Sequence, residues 1–190
     1  MSKSDRTAAI VDGVLRLTVT SGAIAAGLLI PNLLIGLEKP LDIFWKQLDK
    51  RERERELRRV VSYMKSRGLI RGDYEHGLVI TRQGHERLKK IDFDNIKIDS
   101  TAAWDKKWRL VFYDIPESHK DNRQALTRKL RNLGYYQLQK SAWVHPLPCR
   151  DVIEKICTHY EIEKYVSYVE VTYIDNQENL KKRFNNIFKL

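Results

Sequence analysis

Cysteine is scarce. The chain of 190 residues holds two, Cys149 and Cys157, too few for a disulfide framework or a four-cysteine zinc site. Eight positions apart and mostly apolar-flanked, they read as small core residues of a reducing compartment, so a cytoplasmic protein is expected. A secretory signal is also missing, because the apolar stretch starts late and lacks a small-residue cleavage site. There is no repeat of solenoid length. Low complexity is confined to the alternating run Arg51-Glu52-Arg53-Glu54-Arg55-Glu56. What is present is a globular composition, 42% hydrophobic and 32% charged, with room for one large domain or two small ones. Lysine and arginine exceed the acids by ten, and both halves share the excess. A polyanionic partner, nucleic acid or an anionic membrane surface, is the expectation.

Residues 17–37 contain no charge, and that length reaches the minimum for a membrane-crossing helix. Three features favour a buried helical region instead. Thr18, Thr20, Ser21, Gly22, Gly27 and Gly36 dilute the hydrophobicity. Pro31 interrupts a single continuous helix. Basic residues near both ends leave little positive-inside asymmetry. Gly22, Ala26 and Gly27 would permit close helix contact.

From about residue 38 the pattern changes. Pro40 suits a helix start, and Leu41, Phe44, Trp45 and Leu48 fall at helical spacing. A second helix is expected over residues 51–67, with Leu57, Val60, Val61 and Met64 on its apolar face and Gly68 closing it. Leu69-Ile70, a polar turn around Gly72-Asp73, a turn at His76-Gly77 and the strand Leu78-Val79-Ile80 follow. Thr81, three residues before Gly84, opens a further helix. The segments Arg67-Gly68-Leu69-Ile70 and Val79-Ile80-Thr81-Arg82-Gln83-Gly84 resemble a local signature of winged-helix regulators. The resemblance implies that the 51–67 helix is a DNA-recognition helix. Arg51, Arg55, Arg58, Arg59, Lys65 and Arg67 on or beside it, with Arg71 and Arg82 flanking the wing, are the candidate DNA-binding residues. Glu52, Glu54 and Glu56 would pair along the helix with arginine.

Residues 104–174 read as βαββαβ, the split βαβ order of a ferredoxin-like domain. The strands are Trp-Arg-Leu-Val-Phe-Tyr at 108–113, residues 135–138, residues 142–145 and residues 166–174. Helices over 119–133 and around Val152, Ile153, Ile156 and Cys157 separate them. A short amphipathic helix with Leu180, Phe184, Ile187 and Phe188 ends the chain. The fold class expected is therefore α+β: an apolar helical region and winged helix over 1–98, then a ferredoxin-like domain over 99–190.

The run Leu110-Val111-Phe112-Tyr113-Asp114-Ile115-Pro116-Glu117, then Arg123, Leu133-Gly134-Tyr135 and Gln139-Lys140-Ser141-Ala142-Trp143-Val144, resembles the small CRISPR adaptation nucleases. The Trp143-Val144-His145-Pro146 piece and the Ile115-Pro116-Glu117 turn are closer to the PaaX-like transcription repressors, which place a winged helix before the same nuclease-derived fold. That resemblance implies a homodimeric regulator, a repressor, that binds double-stranded DNA and needs no cofactor for it. The nuclease resemblance implies an alternative. Asp114 matches the position of a metal-ligating, catalytic aspartate that would hold Mg²⁺ beside a phosphodiester. Glu117 and Asp121 are the nearby acids, and His119 and His145 the nearby acid–base candidates. The competing reading of Asp114 is a strand-end residue that caps its own turn. Tyr113, Tyr135 and Trp143 are candidates for base stacking or for the core.

Overall fold

The computed structural model describes residues 3–20, 30–73 and 77–185. The chain divides into two compact units, Met1–Asn95 and Ile96–Leu190. The first contains α1 (Lys3–Thr20), α2 (Ile30–Glu38), α3 (Asp42–Trp45), α4 (Lys50–Ser66), β1 (Ile70–Asp73), β2 (Gly77–Ile80) and α5 (Arg82–Asp94).

The uncharged stretch enters the core of this unit. Val14 and Leu15 of α1, and Leu33 and Leu37 of α2, are fully buried with Leu57, Val60, Val61 and Met64 of α4. The side chain of Leu17 in α1 lies against Gly36 of α2, and that of Leu37 against Gly13, so α1 and α2 pack side by side and are not one continuous helix. Pro31 is the second residue of α2. Among the described residues no helix is long and apolar enough to cross a membrane. Gly22, Ala26 and Gly27, with His76, Ile187 and Phe188, lie outside the described residues.

The helix expected from Leu41, Phe44, Trp45 and Leu48 is confined to the single turn α3. It stops because Asp49 serves the next helix. The Asp49 carboxylate accepts from the Glu52 amide at 2.8 Å, and the Glu52 carboxylate accepts from the Asp49 amide at 3.0 Å. This reciprocal capping box satisfies two otherwise orphaned donors and sets where α4 begins. Trp45 instead anchors sideways, its indole N–H donating to the Leu37 carbonyl at 3.2 Å.

After α4 the chain reverses through Gly68 at φ +65°, a left-handed position that favours glycine. β1 and β2 pair antiparallel with Ile70 opposite Ile80 and Arg71 opposite Val79. Thr81 then joins three elements. Its hydroxyl donates to the Gly68 carbonyl at 2.5 Å and accepts from the Gly84 amide at 3.1 Å, capping α5. A Cβ on Gly84 would strike the Leu69 carbonyl oxygen, so only glycine lets α5 start this close to the hairpin base.

The second unit contains β3 (Trp108–Tyr113), α6 (Lys120–Asn132), β4 (Tyr136–Gln139), β5 (Ala142–His145), α7 (Arg150–Tyr160), β6 (Val166–Val171) and α8 (Gln177–Phe184). The sheet order is β4-β5-β3-β6, with every neighbouring pair antiparallel. β3 and β4 run parallel with β5 between them, which is the split βαβ arrangement. β4 is irregular between Gln137 and Gln139. The last strand ends at Val171, three residues before the end expected from its alternation. Leu180 and Phe184 of α8 pack with Trp108, Leu110, Val144 and Leu147 on one side of the sheet. Val111, Trp143 and Ile156 are buried as well. Both cysteines are free and buried, and burial pushes the Cys157 thiol up to about 11, so neither is poised to react.

Candidate nucleic-acid interface

Apolar spacing decides which side of α4 faces solvent. Leu57, Val60, Val61 and Met64 hold it to the core. The turn of 3.6 residues then places Arg51, Arg55, Arg58, Ser62 and Lys65, at i, i+4, i+7, i+11 and i+14, along one stripe. All five are exposed. Glu54, three residues after Arg51 and four before Arg58, borders the stripe. Glu52 and Glu56 lie to one side, where Glu56 pairs with Arg59 at 2.6 Å.

Several neighbouring arginines bond within the unit. Arg59 also donates to the Thr7 hydroxyl of α1 at 2.7 Å, so it ties two helices together. The bond to Glu56 raises the Arg59 pKa further. Arg53 donates to the Leu48 carbonyl at 2.9 Å. Arg67 caps α4, its guanidinium 5.6 Å from the centre of the Tyr63 ring. Tyr63 is itself 42% exposed; it sits on α4 as an aromatic beside the basic surface, and the apolar periodicity alone did not mark it. Arg71 lies exposed on β1. Arg82 pairs with Glu86 at 3.1 Å at the solvent-exposed start of α5.

In the second unit Asp114 follows β3 and is exposed, its backbone N–H held by the Tyr165 carbonyl at 3.0 Å. It lines two open cavities. One, of about 570 Å³, also has Arg123, Gln124, Arg128, Lys140 and Ser141 in its wall. The other, of about 430 Å³, has Phe112, Lys164, Tyr165 and Ser167. Tyr113 reaches beneath the first, its hydroxyl 3.0 Å from that of Thr127 and 3.3 Å from the Trp143 indole nitrogen that donates to it. Tyr113, Tyr135 and Trp143 are all buried, so these three serve the core.

Of the acids expected beside Asp114, Glu117 lines the larger cavity with it but is already paired. Glu117 pairs with Arg123 at 2.7 Å, a bond that holds its carboxyl below the usual range. Arg123 also donates to the Ile115 carbonyl at 3.2 Å, closing the turn. Asp121 lies in the first turn of α6 and does not line either cavity. No group of three histidine, cysteine or acidic side chains positioned for a metal exists among the described residues. A hard cation takes six or more oxygens, and one chain offers it the carboxylate of Asp114 and that of Glu117, which Arg123 already holds, so the fit is poor. His119 makes a 2.9 Å bond to the Ser118 hydroxyl. His145 is buried, its Nδ1 accepting from the Leu147 amide at 3.1 Å, and burial lowers its pKa to about 4. It is therefore neutral at pH 7, and it lines neither cavity.

A buried charge escaped the sequence reading altogether. Arg109 is 2% exposed within β3. Its guanidinium meets both carboxylate oxygens of Asp105 and donates to the Pro146 carbonyl at 2.6 Å. Desolvation is the largest single effect and works against the charge, but the Asp105 bond and charge, with Tyr168 and Glu170, together outweigh it and the pKa is raised. Such an arginine is a structural post.

The order of strands, the Tyr-Asp-Ile end of β3 and the Gln-Lys-Ser hairpin stand together with one result. Residues 101–182 match the family model of the PaaX protein central Cas2-like domain. This part of the chain is PaaX-like. No curated protein matches the chain. The Cas2-like domain covers all six β3–β6 and α6–α7 elements of the sheet unit and reaches into α8.

Proposed function

We propose that the protein is a DNA-binding transcriptional regulator, a repressor acting as a homodimer, with the first unit serving as a winged helix. The exposed basic stripe Arg51, Arg55, Arg58, Ser62 and Lys65 carries this reading. A helix of this width fits the major groove, where arginine reads guanine bidentately and lysine meets phosphate. The β1–β2 hairpin follows α4 directly, as a wing does, and brings Arg71 toward the adjacent backbone. The PaaX-like second unit supports the regulator class. A two-fold dimer would present two α4 helices to a roughly palindromic site.

The test is salt-dependent binding to duplex DNA, read by fluorescence anisotropy, with light scattering to count chains. Each phosphate contact contributes a slope of about −0.9 in log K against log salt. The triple variant Arg55→Ala, Arg58→Ala, Lys65→Ala should lose at least about tenfold in affinity and flatten the slope by about two to three. Binding that is indifferent to salt, or to these three changes, would sink the proposal. The variants do not touch the core, so their melting temperature should stay near that of the wild type.

A further inference from the structure

A groove between α7 and the edge strand β6 is used neither by the basic stripe of α4 nor by Asp114. Helical spacing brings Arg150, Ile153, Glu154, Cys157 and Thr158 to one side of α7. On β6, Val166 and Tyr168 stand opposite Tyr113 and Val111 of β3, so both lie on one face of the sheet. With Glu163, from the turn that joins α7 to β6, these residues line a cavity of about 430 Å³, a size suited to a small molecule. Its floor is apolar. Ile153 and Cys157 are buried, and Val166 and Tyr168 are half-buried. Its rim is polar, with Arg150, Glu154, Thr158 and Glu163 all exposed.

The charges on the rim do not cancel. The Arg150 guanidinium lies 4.6 Å from the centre of the Tyr168 ring and 3.9 Å from the Glu154 carboxylate, so it is balanced from within. Among the described residues no ion pair engages Glu163. Glu163 and Glu154 both act on the Cys157 thiol, which burial first and these two charges second push up to about 11. One negative charge is therefore left over at the end of an apolar groove.

That imbalance selects the occupant. An anion would meet two carboxylates. A metal ion would need more donors, and among the described residues no three histidine, cysteine or acidic side chains are placed to hold one. A ligand with a positive charge at each end would meet Arg150. What remains is a single positive charge on an apolar body. We propose that this groove binds a small organic monoamine, its ammonium on Glu163 and its carbon skeleton on Ile153, Cys157, Val166 and Tyr168. The Thr158 hydroxyl offers the ammonium a second acceptor. Arg150 closes the opposite end and turns diamines away. The site holds the amine and performs no chemistry on it. It lies within the sheet unit and does not rest on duplex binding by α4.

The experiment titrates the full chain at about pH 7, where an alkylamine is charged, and reads binding by ligand-observed NMR. The probes share one carbon chain and differ at its ends: hexylamine, hexanol, hexanoate and hexamethylenediamine. Hexylamine should bind about threefold or more tighter than hexanol, and both hexanoate and the diamine should bind more weakly than hexylamine. Glu163→Gln should erase the advantage of the amine over the alcohol, and Glu163→Lys should turn the preference toward hexanoate. Thr158→Trp fills the mouth of the groove from an exposed position and should abolish binding of every probe. The proposal is overturned if hexylamine does not bind, if hexanol, hexanoate or the diamine binds as tightly, or if Glu163→Gln or Thr158→Trp leaves hexylamine binding unchanged. Both positions are exposed, so thermal unfolding of the variants should match that of the wild type and shows that the fold has survived. Failure here with intact duplex binding leaves the repressor reading standing, and loss of duplex binding leaves the amine site standing.

Discussion

His145 shows what burial does to a single residue. It is 2% exposed, its ring lies 5.0 Å from that of Tyr135, and its pKa falls to about 4 through desolvation. In the unfolded chain a histidine titrates near 6.5. Between these values the unfolded state binds the extra proton, so stability is complete above about pH 6.5 and is lost as pH falls toward 4. The full effect is about 3 kcal/mol. Urea unfolding at pH 7 and pH 4.5 should reveal it, and His145→Asn, which keeps an acceptor for the Leu147 amide, should flatten that slope. Arg109 follows the opposite logic, a charge kept buried by a partner. Asp105→Ala should cost about 2 kcal/mol, discounted because Asp105 is partly in solvent, whereas Arg109→Met should cost less. If the two cost the same, the ion pair is not what holds this end of β3. Neither residue was visible as a buried polar group in the sequence. An arginine at the second position of an apolar strand reads the same whether it points out or in, and Asp105 lies outside the strand's alternation.

At the scale of elements, α4 and α5 were readable because their signals are local. Leu57, Val60, Val61 and Met64 repeat at helical spacing, and Gly68 and Thr81 punctuate it. The capping box was not anticipated, although Asp49 and Glu52 stand at the required spacing, and it cut the preceding helix to one turn. Asp49→Ala should cost about 1 kcal/mol and lower the helical signal of the first unit on warming. Gly84→Ala is the harsher change, since the new methyl meets the Leu69 carbonyl, which is backbone, as well as the Ile80 side chain. It should cost about 2 kcal/mol, seen as an earlier unfolding transition. The same logic explains the candidate site. A list of eight basic residues could be drawn up from composition and motif, but which of them share a face depended on where α4 turns its apolar side. That placed Arg51, Arg55, Arg58 and Lys65 along one line of the helix and turned Arg59 toward Thr7 of α1.

In the whole molecule, each unit has its own apolar core, one built around Leu15, Leu37 and Met64 and the other around Trp108, Val144 and Phe184. Residues 96–190 should accordingly fold when produced alone, with the blue-shifted tryptophan emission of buried Trp108 and Trp143. Emission typical of water-exposed tryptophan would count against that independence. The sequence by itself determined the order of elements, the βαββαβ path, the basic character and the likeness to PaaX repressors, because periodicity, turn residues and local motifs are properties of neighbours along the chain. Tertiary structure decided the rest: that Leu33 and Leu37 join α4 in one core, that Glu117 is spent on Arg123, and that Asp114 lines two open cavities. Those outcomes depend on residues distant in sequence arriving at one place, and on which charges find each other first. Spacing along a chain carries no record of either.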